Sequence, residues 1–252
     1  MPAPPLRVLC LHGSRQDAEI FRQRIERLAK KIGHVAELVY VDGPHQLPLE
    51  PGCEVPMRCW WMHEGLQLPP GFAPAEAPAA AAAEVPPAVV ALEETHPGVT
   101  ATWAALAAAW REQGPFHGVL GFSQGAAVAG LLAMAEHLLA LGGGGDFPGL
   151  RFAVMASGYG GPATELAEHL GASGEACIAM PSLHTIGARD TAVPPAASHQ
   201  LASLFAEGGR RVHEHGQAHC VPQRAPDVPH FVAFLEERAA ALATVGGGGG
   251  GG

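Results

Sequence analysis

The sequence predicts an α/β protein with a mostly parallel, six-stranded sheet and helices on both faces. Three observations carry this. Short apolar runs rich in β-branched residues alternate with longer stretches of helical periodicity. Most of those runs are apolar throughout, the pattern of strands buried on both sides. Only five residues precede the first run, which leaves no room for antiparallel strands ahead of it. Alternation of this kind builds right-handed strand–helix–strand crossovers.

In order, residues 6–11 read as a strand. Residues 18–31 read as one helix, with Ile20, Phe21, Ile25 and Leu28 at helical spacing. A second strand covers 37–41. Residues 43–97 are irregular and rich in Pro and Ala, and 79–83 are all alanine. We read them as an insertion over the carboxyl rim of the sheet, ordered around Trp60-Trp61 and loose in its Pro/Ala part. Residues 98–112 form a helix carrying Trp103, Leu106 and Trp110. A strand at 118–122 leads into a small, apolar helix at 124–141, ended by the glycines of 142–145. Strands at 152–156 and 183–186 follow, with a helix at 196–207. A sixth strand at 211–215 is weak, because only Val212 is apolar. The last helix, 227–244, has Phe231, Phe234 and Leu235 on one face, and 246–252 are a glycine tail with nothing to pack. Residues 1–245 are expected to form a single domain.

Fifteen Lys and Arg against 24 Asp and Glu argue against general affinity for nucleic acid or membrane surfaces. No apolar run approaches the roughly 18 residues of a membrane span. Five cysteines, Cys10, Cys53, Cys59, Cys177 and Cys220, include no C-x-x-C pair, so neither a zinc ribbon nor a disulfide scaffold is expected. A reduced, cytoplasmic setting is the default, with nuclear access left open.

Chemistry concentrates at Gly121-Phe122-Ser123-Gln124-Gly125. G-x-S-x-G is common by itself, but here a strand precedes it and a helix follows, the context of a nucleophile elbow. Ser123 is the candidate nucleophile. A serine needs a base, and on this topology an acid and then a histidine follow it along the chain. Asp190, just after the strand at 183–186, and His219, just after that at 211–215, are the candidates. Both sit at carboxyl ends of strands, where ligands gather in parallel sheets. The alternative for Asp190 is a turn residue. Backbone N–H groups of Gln124 and Ser14 are candidates for the oxyanion hole, with Arg15 as the alternative to Ser14. Gly13 lets that loop approach a substrate.

Other residues have blander readings. His184 is expected to be a satisfied core histidine and His199 a surface one. His213 and His215 face one way on their strand, and a metal pair there lacks a third ligand. His45 and His63 receive no role. Cys10 reads as a core residue, and Cys220 points away from its neighbour His219. Trp60 and Trp61 either wall an apolar acyl pocket or pack the insertion onto the body.

The chain resembles the fungal-type family of serine hydrolases. The likeness runs through Leu9-Cys10-Leu11-His12-Gly13, Gly43-Pro44-His45, Trp60-Trp61, the 121–127 segment, Pro181-Ser182-Leu183-His184, Asp190, Val193-Pro194, His219 and Val221-Pro222. It implies an α/β-hydrolase fold and a cofactor-independent, metal-free carboxylesterase acting on small-molecule acyl esters, preferentially fatty-acyl ones. It also implies the triad Ser123, Asp190 and His219. Some fungal relatives are thioesterases, so an acyl thioesterase is the alternative. A non-catalytic binding protein is disfavoured by the intact triad. Gln217-Ala218 stands where members usually show two glycines before the histidine, and Cys220 replaces a larger apolar residue.

Overall fold

A computed structural model describes residues 4–49, 52, 54–63, 65–66, 68–82, 84–139, 145–172 and 177–246. Cys53 and the glycines at 142–144 and 247–252 lie outside them. In chain order the strands are β1 (Leu6–Leu11), β2 (Ala36–Val41), β3 (His45–Gln46), β4 (Arg58–Cys59), β5 (Gly118–Phe122), β6 (Phe152–Ala156), β7 (Ser182–Gly187) and β8 (Arg210–His215). The helices are α1 (Ala18–Arg24), α2 (Glu26–Ile32), α3 (Ala79–Ala82), α4 (Pro87–Val90), α5 (Val99–Gln113), α6 (Gln124–Leu139), α7 (Gly161–His169), α8 (Pro195–Ser203) and α9 (Val228–Gly246).

Six strands form one sheet in the order β2-β1-β5-β6-β7-β8, and every neighbouring pair is parallel. The chain moves outward from β1 to β2, then returns to β1's other side with β5. The switch point therefore lies between the carboxyl ends of β1 and β5, where a crevice opens in such sheets. Side chains alternate across the strands with period two. Leu9, Leu11, Val119, Ala153 and Met155 face the core beneath α5, α6 and α7. Val8, Cys10, Leu120, Phe122 and Val154 face the core shared with α1, α2 and α9.

The expected strands appear within one residue of their ends. β8 is the exception in kind: Val212 is 42% exposed, so the strand is held by its backbone pairing to β7. Its Arg210, Arg211 and Glu214 suit an edge strand, where charge discourages further pairing.

The expected helix over 18–31 is two helices. The Leu28 N–H donates to the Gln223 side-chain oxygen, and the Gln223 amide donates to the Arg24 carbonyl. Those are the two groups that a continuous helix would join to each other. A side chain inserted into the ladder in this way breaks a helix, and Ile25 sits at the break with φ −108°. Helix α7 was not expected from the sequence. It presents Pro162, Ala163, Leu166 and Ala167 to the core, mostly small residues that give little periodic signal. In the insertion, β3 and β4 pair antiparallel, and the Pro/Ala stretch, expected to be loose, forms α3 and α4 and packs on the core through Ala81, Val85 and Val89.

His184 is buried on β7, its Nε2 bonded to the Ser182 hydroxyl at 3.1 Å. Burial, with Arg210 and His199 nearby, pushes its imidazole down to about 3. Burial also lowers His12 and His45. The unfolded chain therefore binds more protons than the folded one below about 6.5, and stability falls as pH drops through that region. We expect the melting temperature to decline from pH 7 to pH 5 and His184→Gln to flatten part of the slope. A flat profile for the wild type contradicts this account.

Candidate active site

Ser123 follows β5 with φ 54°, in the left-handed region that L residues with a side chain avoid. Its N–H is held by the Ala156 carbonyl at 2.9 Å, and its carbonyl accepts from Ala126 and Ala127 in the first turn of α6. The flanking glycines are required by space. A Cβ at Gly121 would lie 2.1 Å from the Gly125 carbonyl oxygen, and one at Gly125 would lie 2.3 Å from that of Leu11. From Gly118 to Ala135 every residue is buried except Ser123. The fold thus leaves Ser123 alone half-buried at the N-terminus of an otherwise enclosed helix.

Asp190 lies in the turn after β7. Its Oδ1 accepts from the N–H groups of Ala192 and Val193, at 3.0 and 2.9 Å, and its Oδ2 accepts from His219 Nδ1 at 2.7 Å. The turn role and the partnership with histidine coexist on different oxygens. Burial pulls the Asp190 carboxyl up, but the Val193 N–H and the His219 imidazole outweigh it and hold it below its usual value. With Nδ1 donating to the carboxylate, Nε2 of the neutral ring carries the free lone pair. The ring rests on Phe122, centroids 4.8 Å apart, one residue from the nucleophile. Ser123 makes no hydrogen bond to His219 in this structure. Such bonds often tighten only when substrate is in place.

The loop carrying His219 is latched on both sides. Ala188 N–H donates to the His215 carbonyl, and Arg189 Nε donates to that of Gly216 at 2.7 Å. Gln217, standing where two glycines were expected, donates from its amide to Asp227 Oδ2 at 2.9 Å. Asp227 Oδ1 is bonded to His213, which stacks on His230 with centroids 3.8 Å apart.

His12 shapes the loop after β1. Its Nε2 accepts from the Gly43 N–H at 2.9 Å, so Nδ1 carries the proton and donates to the Gly13 carbonyl at 2.8 Å. In a trans peptide the N–H points opposite the carbonyl. Pinning the Gly13 carbonyl toward His12 thereby turns the Ser14 N–H the other way. The Arg15 N–H, the alternative donor, is taken by the Arg58 carbonyl at 2.9 Å. Among the described residues the N–H groups of Ser14 and Gln124 have no partner. His63, which drew no assignment from the sequence, lies against this loop. Its Nδ1 accepts from Gly65, so its Nε2–H faces the Ser14 hydroxyl at 3.1 Å.

The Trp60-Trp61 pair packs the insertion onto the body and does not wall a pocket. Their side chains are 0% and 1% exposed, so they present no surface to a substrate and cannot wall an acyl pocket as they stand. They fasten the insertion to the body. The Gln124 side chain accepts from the Trp60 N–H and donates to the Trp61 carbonyl, both at 2.9 Å. Trp60 Nε1 donates to the His12 carbonyl at 2.8 Å, and the Thr102 hydroxyl donates to the Trp60 carbonyl. The cleft that does open beside His219 measures 310 Å³ and is lined by Phe21, Arg24, Phe122, Cys220 and Val221.

The sequence profile of the serine hydrolase (FSH1) family matches residues 1–231. The chain belongs to that family. It is 36% identical to human esterase OVCA2 over 239 residues, covering 93% of this chain and 97% of that protein. It is 35% identical over 243 residues to rhodanese-like domain-containing protein 6 of Arabidopsis thaliana. That match covers 91% of this chain but 39% of the longer protein. Among solved structures, Zea mays acyl-protein thioesterase 2 superposes with a TM-score of 0.62 at 17% identity, covering 94% of this chain and 95% of its own. Arabidopsis thaliana SOBER1 gives 0.54 at 16% identity, covering 93% and 99%. At these identities the likeness is one of fold, the α/β-hydrolase fold.

In this member of the family the helix that bears the serine also holds the insertion, through Gln124. Gln124→Ala strands two buried backbone groups, each worth about 1–3 kcal/mol when left unpaired. We expect a loss of roughly 2–6 kcal/mol in urea unfolding. A variant as stable as the wild type would show that the clamp is dispensable.

Proposed function

We propose that this chain is a serine carboxylesterase working through an acyl-enzyme on Ser123, His219 and Asp190. The observation that carries the proposal is the 2.7 Å bond from His219 to Asp190, on the same rim as the half-buried Ser123 with its left-handed φ.

Ser123 Oγ attacks the acyl carbon while its proton passes to His219 Nε2. Asp190 keeps the other ring nitrogen protonated and stabilises the imidazolium. The N–H groups of Gln124 and Ser14 hold the tetrahedral oxyanion, aided by the positive end of α6. Collapse breaks the bond to the alcohol, which leaves with the proton from His219. Water then attacks the acyl-enzyme by the same steps in reverse order, releasing the acid and restoring Ser123. The acyl group is proposed to be medium to long, as the family resemblance implies. A thioester reading uses the same steps and is favoured by the cations that line the groove leading from His219.

A fluorophosphonate probe should label the wild type and leave Ser123→Ala unlabelled. Equal labelling of both, or none of the folded wild type, removes the hydrolase reading. Asp190→Asn should lower kcat about 10⁴-fold, through the wrong imidazole tautomer. Across p-nitrophenyl esters, kcat/KM should rise with acyl length, and a flat series discards the chain-length part.

A further inference from the structure

A groove leads away from His219. The 310 Å³ cleft adjoins a 400 Å³ depression, and this adjoins one of 490 Å³. Gln223 lines all three, Arg24 the first two and Arg27 the last two. Gln223 is the residue that breaks the α1–α2 helix, so the groove's floor is fixed by two backbone hydrogen bonds.

The groove is cationic in a chain of net charge −9. Arg24, Arg27 and Arg224 line its middle, and Lys30 and Lys31 its far end. One carboxylate, Glu26, lies among them, and Lys30 holds it at 2.8 Å. Arg24, Arg27, Lys31 and Arg224 have no ion-pair partner among the described residues. An ordinary solvated face intersperses both signs. Here Arg24, Arg27, Lys30 and Lys31, spanning the end of α1 and most of α2, outnumber the single Glu26 among them.

The direction of the groove assigns its use. In the mechanism proposed above, His219 gives its proton to the departing group, so that group must lie at the imidazole. The groove begins beside that ring, between Phe122 and Cys220, with Ser123 itself outside its lining. We propose that it is the leaving-group site and that it takes a phosphate-bearing leaving group, the occupant being the nucleotide arm of a coenzyme A thioester. This rests on the serine hydrolase reading and names its substrate class. Ser123 Oγ forms the new bond to the acyl carbon, the C–S bond breaks, and the sulfur departs as a thiol with the proton from His219. Water then releases the acid.

The test compares octanoyl-coenzyme A with octanoyl-N-acetylcysteamine, which has the same thioester and no phosphate. For the wild type at 50 mM KCl, kcat/KM should favour the coenzyme A substrate at least tenfold, mainly through KM. Raising KCl to 300 mM should erase most of that preference, because screening weakens exposed phosphate contacts. The triple variant Arg24→Gln, Arg27→Gln, Arg224→Gln should lower the ratio of the two kcat/KM values at least tenfold. Should it fail to fold, the salt series and competitive inhibition of the wild type by free coenzyme A decide the matter alone. Equal kcat/KM for the two thioesters, or a preference indifferent to salt, overturns the proposal. Turnover of p-nitrophenyl octanoate by the wild type separates the cases. With that turnover intact, only the leaving-group proposal falls. Without it, the esterase reading falls first.

Discussion

The site depends on how closely the first turn of α6 approaches the end of β1. At Gly125 the contact is so tight that a methyl group would overlap the carbonyl oxygens of both Leu11 and His12. That approach sets the turn bearing Ser123 beside the loop that begins at His12, across the switch point between β5 and β1. A non-glycine residue at left-handed φ costs of order 1–3 kcal/mol and persists only where its surroundings over-determine it. Here the surroundings are a helix buried through its first three turns and a backbone hydrogen bond to the end of β6.

A buried polar network extends this frame into the insertion. His12, Gly43, Trp60, Thr102 and Gln124 exchange hydrogen bonds that leave few atoms unpaired. Networks of this sort specify one arrangement when satisfied and are costly when broken. The insertion is therefore part of the frame around the site at its Trp60-Trp61 end, and its Pro/Ala stretch also packs on the core, through Ala81 of α3 and the buried Val85 and Val89. His63, two residues after Trp61, touches the Ser14 hydroxyl from that same segment.

How much of this the sequence revealed depends on the range of the interaction involved. Strands buried on both faces announce themselves as apolar runs, and β1, β5 and β6 begin and end where those runs do. The order Ser123, Asp190, His219 was legible because motif and topology constrain each other, and Asp190 and His219 do meet. The split between α1 and α2 was not legible. Gln223, which causes it, lies 195 residues away from Leu28 and looks like any loop glutamine. Helix α7 hid in a run of small residues. The Trp60-Trp61 pair signalled burial by its composition, but composition does not say against which surface. Nor does a lone histidine such as His63 reveal that a second loop will fold onto it.

Cys220 has a consequence of its own. Its side chain is part-buried and lines the cleft beside His219, whereas Cys10 and Cys59 are fully enclosed. Burial, with Asp190 and Asp227 nearby, keeps the Cys220 thiol above its ordinary range, so alkylation there should be slow. Once attached, an alkyl adduct would obstruct the space next to the general base. Inactivation by iodoacetamide would then be steric, and would say nothing in favour of a sulfur nucleophile.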